Sequence, residues 1–329
     1  MTSSISIMNS TIIAELDILR RLAVTETAGV FKARAYSTAI KAIQAWPPIH
    51  AVKDLPPAAK GDGIGKEVRI KIHKILENGS LDIDPAMRAR ATALEAFQGI
   101  YGVGPKKAEQ LIDAGYTTIA ELRAAAAANP KLFNKNQHIG LRYYEDLQLR
   151  IPRDEMDAHA TLLMANRPPA LEGIIVGSYR RGAANSGDID MLIRTMEPAE
   201  DAAAHLRDYV AILTVRGYIK EVLAHGDHKC LAISQLPGAP ARRLDLLVTP
   251  PAEFSYAVLY FTGCDTFNVA MRTHALTRGF TLNEHALTQV STGKAVGGVR
   301  READIFAALR LAWKEPHERT GADAVVPLP

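Results

Sequence analysis

The first 150 residues carry apolar side chains at helical spacing. Apolar residues recur three or four positions apart from Ile12 to Leu22 and again from Ala35 to Ile43, which is the period of one helix face. Glycine and proline clusters interrupt this pattern repeatedly, and such clusters end helices. The pattern therefore predicts an all-α N-terminal part built of short helices.

Beyond residue 151 the pattern becomes that of an α+β fold. A helical stretch near 154–166 leads to short β-rich runs bounded by Gly, Pro and Asp, at 171–176, 187–194, 218–223, 229–235 and 242–249. Helical patterns are expected near 198–216, 252–278 and 304–313, with two short strand-like pieces after residue 279. The fold class predicted for the whole chain is multidomain α+β.

Composition excludes several classes of protein. With 329 residues, 47% of them hydrophobic, the chain is long enough to bury more than one core. It has no apolar run of the length of a membrane span and no signal-peptide pattern at its start. Two cysteines, Cys230 and Cys264, exclude a disulfide framework or a Cys-rich zinc module. We expect a soluble, intracellular protein without a membrane partner.

Charge adds a weak indication of a phosphate-bearing partner. The whole chain has a net charge of only +3, but residues 1–150 contain 20 basic and 15 acidic side chains, so this part carries 20 − 15 = +5. Lys and Arg that neutralise phosphates supply the sequence-independent part of nucleic-acid affinity. The excess is compatible with that role and does not establish it.

A Gly-apolar-Gly turn between helical stretches occurs twice. Such a turn lets the backbone approach a phosphate, and the N–H groups that open the next helix then point at the anion. A single copy is a common turn, but each copy here has a basic residue just after it, which favours two helix-hairpin-helix motifs that bind the DNA backbone. Their residues are Gly63, Gly65 and Lys66 in the first and Gly102, Gly104 and Lys106 in the second.

The run from Gly177 to Ile193 is the strongest chemical signal. Asp188 and Asp190 are two positions apart in a predicted strand, so both carboxylates point to one side. Converging carboxylates repel one another unless a cation lies between them, and oxygen ligands suit Mg²⁺ together with substrate phosphates. Ser178 and an adjacent arginine are placed to hold phosphate oxygens. The alternative is an exposed polar strand edge.

Asp245 is the best candidate for a third carboxylate. It lies within an apolar strand pattern, where a buried charge needs a partner. A metal shared with the other two aspartates would supply one, and an ion pair with Arg243 or Arg242 is the alternative. The metal interpretation leads to two-metal nucleotidyl transfer.

Together these motifs resemble the family X DNA polymerases, of the beta type. The resemblance covers nearly the whole chain and includes both hairpins and the segments 139–144, 150–153, 177–190, 260–268, 271–276 and 279–284. It implies template-directed filling of short DNA gaps during repair. The implied substrates are gapped or nicked double-stranded DNA and deoxynucleoside triphosphates, bound by a monomer that is nuclear in a eukaryote.

The resemblance also assigns site residues. Two Mg²⁺ ions, which Mn²⁺ can replace, are ligated by Asp188, Asp190 and Asp245. The triphosphate is held by Arg150, Ser178, Arg181 and Gly187. The sugar, base and template are contacted by Tyr260, Phe261, Gly263, Asp265, Asn268 and Arg272, although core packing is an alternative for the aromatic pair. DNA is contacted by Lys229 and by the two hairpins, each with a monovalent cation.

The N-terminal part resembles the deoxyribose-phosphate lyase domain of the family. Lys71 matches its Schiff-base lysine, and Lys32 and Tyr36 match other pocket positions. Phe31 replaces a histidine, however, and Glu67 replaces a phosphate-binding lysine, so we expect weak lyase activity. From sequence alone, Lys71 would be interpreted as a solvated surface lysine.

Two further departures concern the change between open and closed forms. Leu247 replaces an arginine that pairs with a catalytic aspartate in the open state of the relatives, and His285 replaces a nearby tyrosine. We expect easier closure and weaker discrimination between nucleotides. The chain is also expected to lack the C-terminal phosphoesterase and N-terminal phosphopeptide-binding domains of some members.

We expect four parts along the chain. They are a helical lyase-like domain (1–85), a helical DNA-binding subdomain (86–152), a nucleotidyltransferase palm with a mixed sheet (153–252) and a small α+β nucleotide-selecting subdomain (253–329). One alternative function is template-independent terminal transfer, which requires a longer loop than the turn at 236–241. The other is an inert DNA-end binding module that uses only the hairpins.

Overall fold

A computed structural model describes residues 7–26, 29–57, 63–196 and 201–329. The chain divides into two compact units, Met1–Tyr144 and Glu145–Pro329. Within the described ranges, none of the helices is long and apolar enough to cross a membrane.

The first unit is helical, as its apolar spacing predicted. Its helices are α1 (Ile7–Val24), α2 (Val30–Gln44), α3 (Lys66–Asn78), α4 (Pro85–Gln98), α5 (Pro105–Asp113), α6 (Ile119–Ala128) and α7 (Lys135–Arg142), and α8 (Tyr144–Gln148) spans the boundary. The described residues of this unit contain no β-strand. Helix boundaries follow local chemistry: the Asp84 carboxylate accepts the Ala86 N–H at the start of α4, and Gly79 ends α3 in a left-handed conformation.

Two hydrophobic clusters support this unit. Residues of α1, α2 and α3 form the first, including Leu16, Ile43 and Ile72. The second, around Phe97 and Leu122, joins α4 to α7. Helices α1 and α4 are also linked by a bidentate ion pair in which Arg88 donates to Glu15 at 2.7 and 2.8 Å.

The second unit contains a five-stranded mixed sheet and two small ladders. Its strands are β1 (Ile151–Pro152), β2 (Leu171–Ile175), β3 (Asn185–Ser186), β4 (Ile189–Thr195), β5 (Ile219–His225), β6 (Lys229–Gln235), β7 (Ala241–Val248), β8 (Phe280–Leu282) and β9 (Leu287–Gln289). The large sheet has the order β2-β4-β7-β6-β5, with β4 and β7 parallel and the other neighbours antiparallel. Strands β1 and β3 pair, as do β8 and β9.

Helices cover the sheet and extend beyond it. They are α9 (Arg153–Ala165), α10 (Gly177–Arg180), α11 (Ala202–Val215), α12 (Phe254–Thr262), α13 (Asp265–Thr277) and α14 (Glu302–Ala308). Side chains alternate along β4 and β7, so Met191 and Leu246 join α9 and α11 in the main core. Their neighbours Leu192 and Leu247 pack with Phe254 of α12 in a second cluster. A third core lies between α12, α13 and α14.

Two sequence-based boundaries were wrong in detail. The last helix was expected near 304–313 but ends at Ala308, because Arg310 takes a left-handed conformation with φ of 53° and Leu311 pairs with Pro327. Asp188 was expected within a strand but lies in a bend, one residue before β4 begins.

Candidate active site

The register of two parallel strands brings the predicted carboxylates together. Asp190 on β4 is the direct partner of Asp245 on β7, and Asp188 precedes β4 by one residue. Hydrophobic neighbours at alternate positions fix both strands in the core, so the aspartates are presented on a rigid support. The sequence pattern predicted three converging carboxylates, and the strand register shows Asp190 opposite Asp245.

Burial, together with neighbouring negative charge, changes the pKa values of Asp188 and Asp190. Burial raises the pKa of Asp190 to about 7, and the charges of Asp188 and Asp245 act in the same direction. Burial also raises the pKa of Asp188, while Arg243 opposes that increase. A cation placed among the three carboxylates would therefore be favoured.

Both oxygens of Asp245 contact cationic side chains. Arg243 Nη2 donates to Oδ1 at 2.6 Å, and Lys229 Nζ lies 3.1 Å from Oδ2. The ion pair with Arg243 that was considered from sequence is therefore present. Arg242 instead pairs with Glu155 of α9, at 2.6 Å.

The three carboxylates suit a magnesium ion in their chemistry and charge. They are hard oxygen donors, and Asp190 is destabilised in its ionised form, which a divalent cation would relieve. In the ranges that the structure describes, no three acidic, His or Cys side chains are already arranged to hold a metal together. Asp245, engaged by Arg243 and Lys229, would have to exchange these partners for the ion.

The short helix α10 lies directly against Asp190. Gly177 has φ of +63°, and a Cβ there would lie 2.8 Å from Asp190 Oδ2, so conformation and space both require glycine. The Val176 N–H donates to the Asp190 carbonyl at 2.9 Å. Ser178 Oγ donates to Ser186 Oγ at 3.0 Å, which joins the turn to β3.

The β1-β3 ladder places the predicted triphosphate residue Arg150 beside Gly187. Arg150 Nε donates to Asn185 Oδ1 at 2.8 Å, and its Nη2 donates to the Asn185 carbonyl at 3.1 Å. A Cβ on Gly187 would lie 2.9 Å from Arg150 Nη1. The guanidinium is therefore held close to the segment that leads to Asp188.

An open cavity of about 270 Å³ joins the two groups of predicted nucleotide-binding residues. Arg181, assigned to the triphosphate, lies on its wall and donates to the Thr262 carbonyl at 2.6 Å. Gly177 also lines the cavity, so the carboxylate site lies next to it. The remaining wall includes Tyr260, Phe261, Gly263, Asp265 and Asn268.

The end of α12 presents its aromatic pair in a fixed geometry. The rings of Tyr260 and Phe261 make an edge-to-face contact with centroids 5.0 Å apart. Asn268 Nδ2 donates to the Tyr260 carbonyl at 2.7 Å, and the Arg272 guanidinium lies 4.9 Å above the Tyr260 ring. Phe261 also packs against the cluster around Leu247, so the core-packing interpretation holds in part.

A buried ion network holds this helix end against α10. Glu302 accepts from Arg180 at 2.6 and 3.0 Å and from Arg319 at 2.6 Å. Arg180 also donates to Thr262 Oγ1 at 2.7 Å, and Arg319 lies within 5.0 Å of the centre of the Trp313 ring. The sequence did not indicate Glu302 or Arg319, because both lie outside every recognised motif. Arg180 was indicated only by its place next to Arg181, which was assigned to the triphosphate.

Both predicted hairpins lead into helices of the first unit. Gly63 and Gly102 have φ of +73° and +84°, and α3 and α5 begin immediately after the second glycine of each motif. Gln137 Nε2 donates to the Gly102 carbonyl at 2.8 Å, which fixes the second turn. The N–H groups at these helix starts suit an anion. Lys66 and Lys106 lie in the first turns.

The predicted lyase pocket contains opposing charges. Lys32 Nζ lies 2.6 Å from Glu26 Oε2, while Phe31 is 76% exposed. Burial raises the pKa of Tyr36, and the charges of Glu26 and Glu67 add to this increase. Lys71 and Glu67 are both on α3, one turn apart.

Family models match three consecutive segments. The fingers domain of DNA polymerase lambda matches residues 95–148, the DNA polymerase beta palm matches 150–251, and the DNA polymerase beta thumb matches 257–320. The palm segment contains the three aspartates, and the thumb segment contains the aromatic pair of α12.

Two curated relatives are similar over most of this chain. DNA polymerase lambda of Rattus norvegicus is 31% identical over 309 residues, covering 88% of this chain and 52% of the relative. DNA polymerase lambda of Arabidopsis thaliana is 29% identical over 316 residues, covering 87% and 57%. The chain thus spans about half the length of the curated relatives it matches. With fingers, palm and thumb models matched in succession, the chain belongs to the family X DNA polymerases.

Proposed function

We propose that this protein is a DNA-directed DNA polymerase that fills short gaps in double-stranded DNA. It transfers a nucleotidyl group from a deoxynucleoside triphosphate to a primer 3′-hydroxyl. The observation that supports this most strongly is the position of Asp190, the strand partner of Asp245, against Gly177. Gly177 lines the cavity whose wall also contains Arg181 and the Tyr260-Phe261 pair.

In this proposal each part of the site has a separate task. Arg150, Ser178, Arg181 and Gly187 bind the triphosphate, and the N–H groups of α10 assist them. Tyr260 and Phe261 lie against the deoxyribose, and the backbone near Gly263 leaves little room for a 2′-hydroxyl. Asp265, Asn268 and Arg272 orient the base and template.

The three aspartates would hold two Mg²⁺ ions, or Mn²⁺ in their place. Such ions would supply activation of the primer hydroxyl and neutralisation of the leaving pyrophosphate. Burial raises the pKa of Asp190 to about 7, so a bound cation would favour its ionised form. Lys229 and the two hairpins contact DNA, and a monovalent cation at each hairpin stays a prediction.

The division into lyase-like (1–85), DNA-binding (86–152), palm (153–252) and nucleotide-selecting (253–329) parts belongs to the same proposal. Template-independent transfer is disfavoured, because only five residues connect β6 to β7. An inert DNA-end binding module is disfavoured by the converging carboxylates.

The test is extension of a duplex with a one-nucleotide gap, with and without a 5′-phosphate on the downstream strand. We expect addition of one templated nucleotide in Mg²⁺, with only a slight preference for the phosphorylated gap. Addition that ignores the template would favour terminal transfer, and binding without extension would favour the inert module.

A further inference from the structure

An ion pair joins the start of α12 to the β8-β9 turn. His285 Nδ1 lies 2.6 Å from Glu253 Oε2, and its other ring nitrogen lies 3.8 Å from a Glu284 oxygen. The turn itself is ordered, because Asn283 Oδ1 accepts the N–H groups of His285 and Ala286 at 3.0 and 2.8 Å. The imidazole is therefore presented to Glu253 from a fixed backbone.

The same turn contacts the residues proposed to select the nucleotide. Arg272 Nη2 lies 3.8 Å from Glu284 Oε2, and the Arg272 guanidinium lies over the Tyr260 ring. A path of contacts therefore runs from the residue just before α12 back to a residue on α12, through Glu253, His285, Glu284, Arg272 and Tyr260. A change in the Glu253–His285 ion pair can therefore alter the position of the Tyr260 ring through these contacts.

A small cavity of about 10 Å³ between α12, α13 and β8 leaves these side chains incompletely packed. Tyr260, Met271, Arg272 and Leu282 line it, together with Asn283 from the β8-β9 turn. Side chains that face a void lack packing partners on that side. The polar contacts with the β8-β9 turn therefore contribute more to fixing the positions of Tyr260 and Arg272.

We propose that Glu253 and His285 form a proton-dependent latch that positions Arg272 and Tyr260 for nucleotide selection. This inference rests on the proposed polymerase function and adds two positioning residues to it. The latch is closed when the imidazole is protonated and the pair is ionic. Closed, it holds the β8-β9 turn against α12 and fixes Arg272 over Tyr260.

The direction of the pH dependence follows from the charges around His285. The hydrogen bond with Glu253 raises the pKa of His285, with the charges of Glu253 and Glu284 contributing further. Arg272 of α13 faces the group only across Glu284. Histidine is the side chain among these whose charge ordinarily changes between about pH 6 and 8. The latch therefore weakens as pH rises through the raised pKa.

The experiment measures kcat/KM for correct and mismatched nucleotides on a one-nucleotide-gapped duplex between about pH 6 and pH 8.5. The ratio of the two values removes the pH dependence that both insertions share. Because the pair is exposed, we expect discrimination by the wild type to fall by roughly two- to fivefold across this range. Glu253→Gln and His285→Tyr should show, at every pH, the low discrimination that the wild type reaches at high pH.

Two further variants separate charge from structure. His285→Lys keeps a positive charge throughout the range, so it should retain high discrimination without the pH dependence. His205→Tyr, on α11, is the matched control and should keep the wild-type profile. An NMR titration should also show a higher pKa for His285 in the wild type than in Glu253→Gln.

The outcomes distinguish the latch from the polymerase assignment. If the wild type inserts no templated nucleotide, the proposed function fails and the latch fails with it. If it does insert, but the wild type and His285→Lys have the same discrimination profile, the latch is wrong and the polymerase function stands. This comparison decides the question even if Glu253→Gln fails to fold.

Discussion

Removal of Glu302 should destabilise the second unit more than removal of any exposed acidic residue. Its carboxylate is 8% exposed and bridges Arg180 to Arg319, whose side chain is fully buried. Burial lowers the pKa of Arg319, so its positive charge depends on Glu302 for compensation. In Glu302→Ala this charge would remain in an apolar setting among aromatic rings, and breaking a buried pair in this way costs about 3–5 kcal/mol.

The assay is urea unfolding followed by fluorescence of Trp313, whose ring centre is 5.0 Å from the Arg319 guanidinium. A Trp46→Phe background leaves Trp313 as the sole tryptophan of the chain. Glu302→Gln keeps a hydrogen-bond acceptor but not the charge, so we expect a smaller loss of about 2–3 kcal/mol. Glu302 also holds Arg180, which donates to Thr262 Oγ1. Both Glu302 variants should therefore also insert the correct nucleotide more slowly.

Glu172→Ala is the matched control. Glu172 pairs with Arg194 at 2.5 Å, but both side chains are one third or more exposed, so its removal should cost only about 0–1 kcal/mol. A double-mutant cycle with Arg319→Met should give a coupling free energy of about 1–3 kcal/mol. A free energy of unfolding for Glu302→Ala within about 1 kcal/mol of that for Glu172→Ala would refute this prediction.

Three other changes test separate parts of the account. With divalent metal chelated, the free energy of unfolding should fall as pH rises through the raised pKa of Asp190, about 7. The reason is that the folded protein binds a proton that the unfolded carboxyl, with a pKa near 3.8, has already lost. Urea titrations of Asp190→Asn should lack this pH dependence, and an equal dependence would contradict the assignment. Leu247→Ala should lower the free energy of unfolding by about 2–4 kcal/mol and weaken mismatch discrimination, because Leu247 packs α12 against the sheet. Leu247→Met is the control, and unchanged stability and fidelity in Leu247→Ala would refute this prediction. Glu67→Lys should increase borohydride trapping on an incised abasic site and the preference for a 5′-phosphate; trapping that is unchanged in Glu67→Lys, or that persists in Lys71→Ala, would contradict the lyase assignment.

Local patterns were sufficient to predict the two strands that carry Asp190 and Asp245. The period-2 alternation around Asp190 and the apolar run around Asp245 each identify a buried strand with one charged residue, and such strands lie side by side in a sheet. Helical spacing likewise predicted α1 to α7, because each amphipathic helix is specified by neighbouring residues.

Contacts between distant segments could not be predicted in this way. Arg180 and Glu302 are 122 positions apart, and no periodicity links them. The same applies to the pairing of His285 with Glu253, which depends on how the β8-β9 turn packs against α12. The early end of α14 depends on the left-handed conformation of Arg310, which its sequence neighbourhood does not indicate.

The ion pairs of Asp245 also change how the metal site is understood. The sequence offered a metal or an arginine as alternative partners for this carboxylate. In the structure Arg243 and Lys229 occupy its two oxygens, so ion binding has to compete with both cations. The structure thus shows the arginine partner, and the metal remains a proposal.

The most direct test of the polymerase assignment compares wild type, Asp190→Ala and Asp245→Ala on a one-nucleotide-gapped duplex in Mg²⁺. Asp208→Asn, an exposed change on α11, controls for loss of negative charge. We predict that the wild type and Asp208→Asn add the templated nucleotide. Both alanine variants should lose extension while binding the duplex within a few-fold of wild type, because the proposed hairpin contacts do not involve the aspartates. Wild-type extension by Asp245→Ala would contradict the central claim.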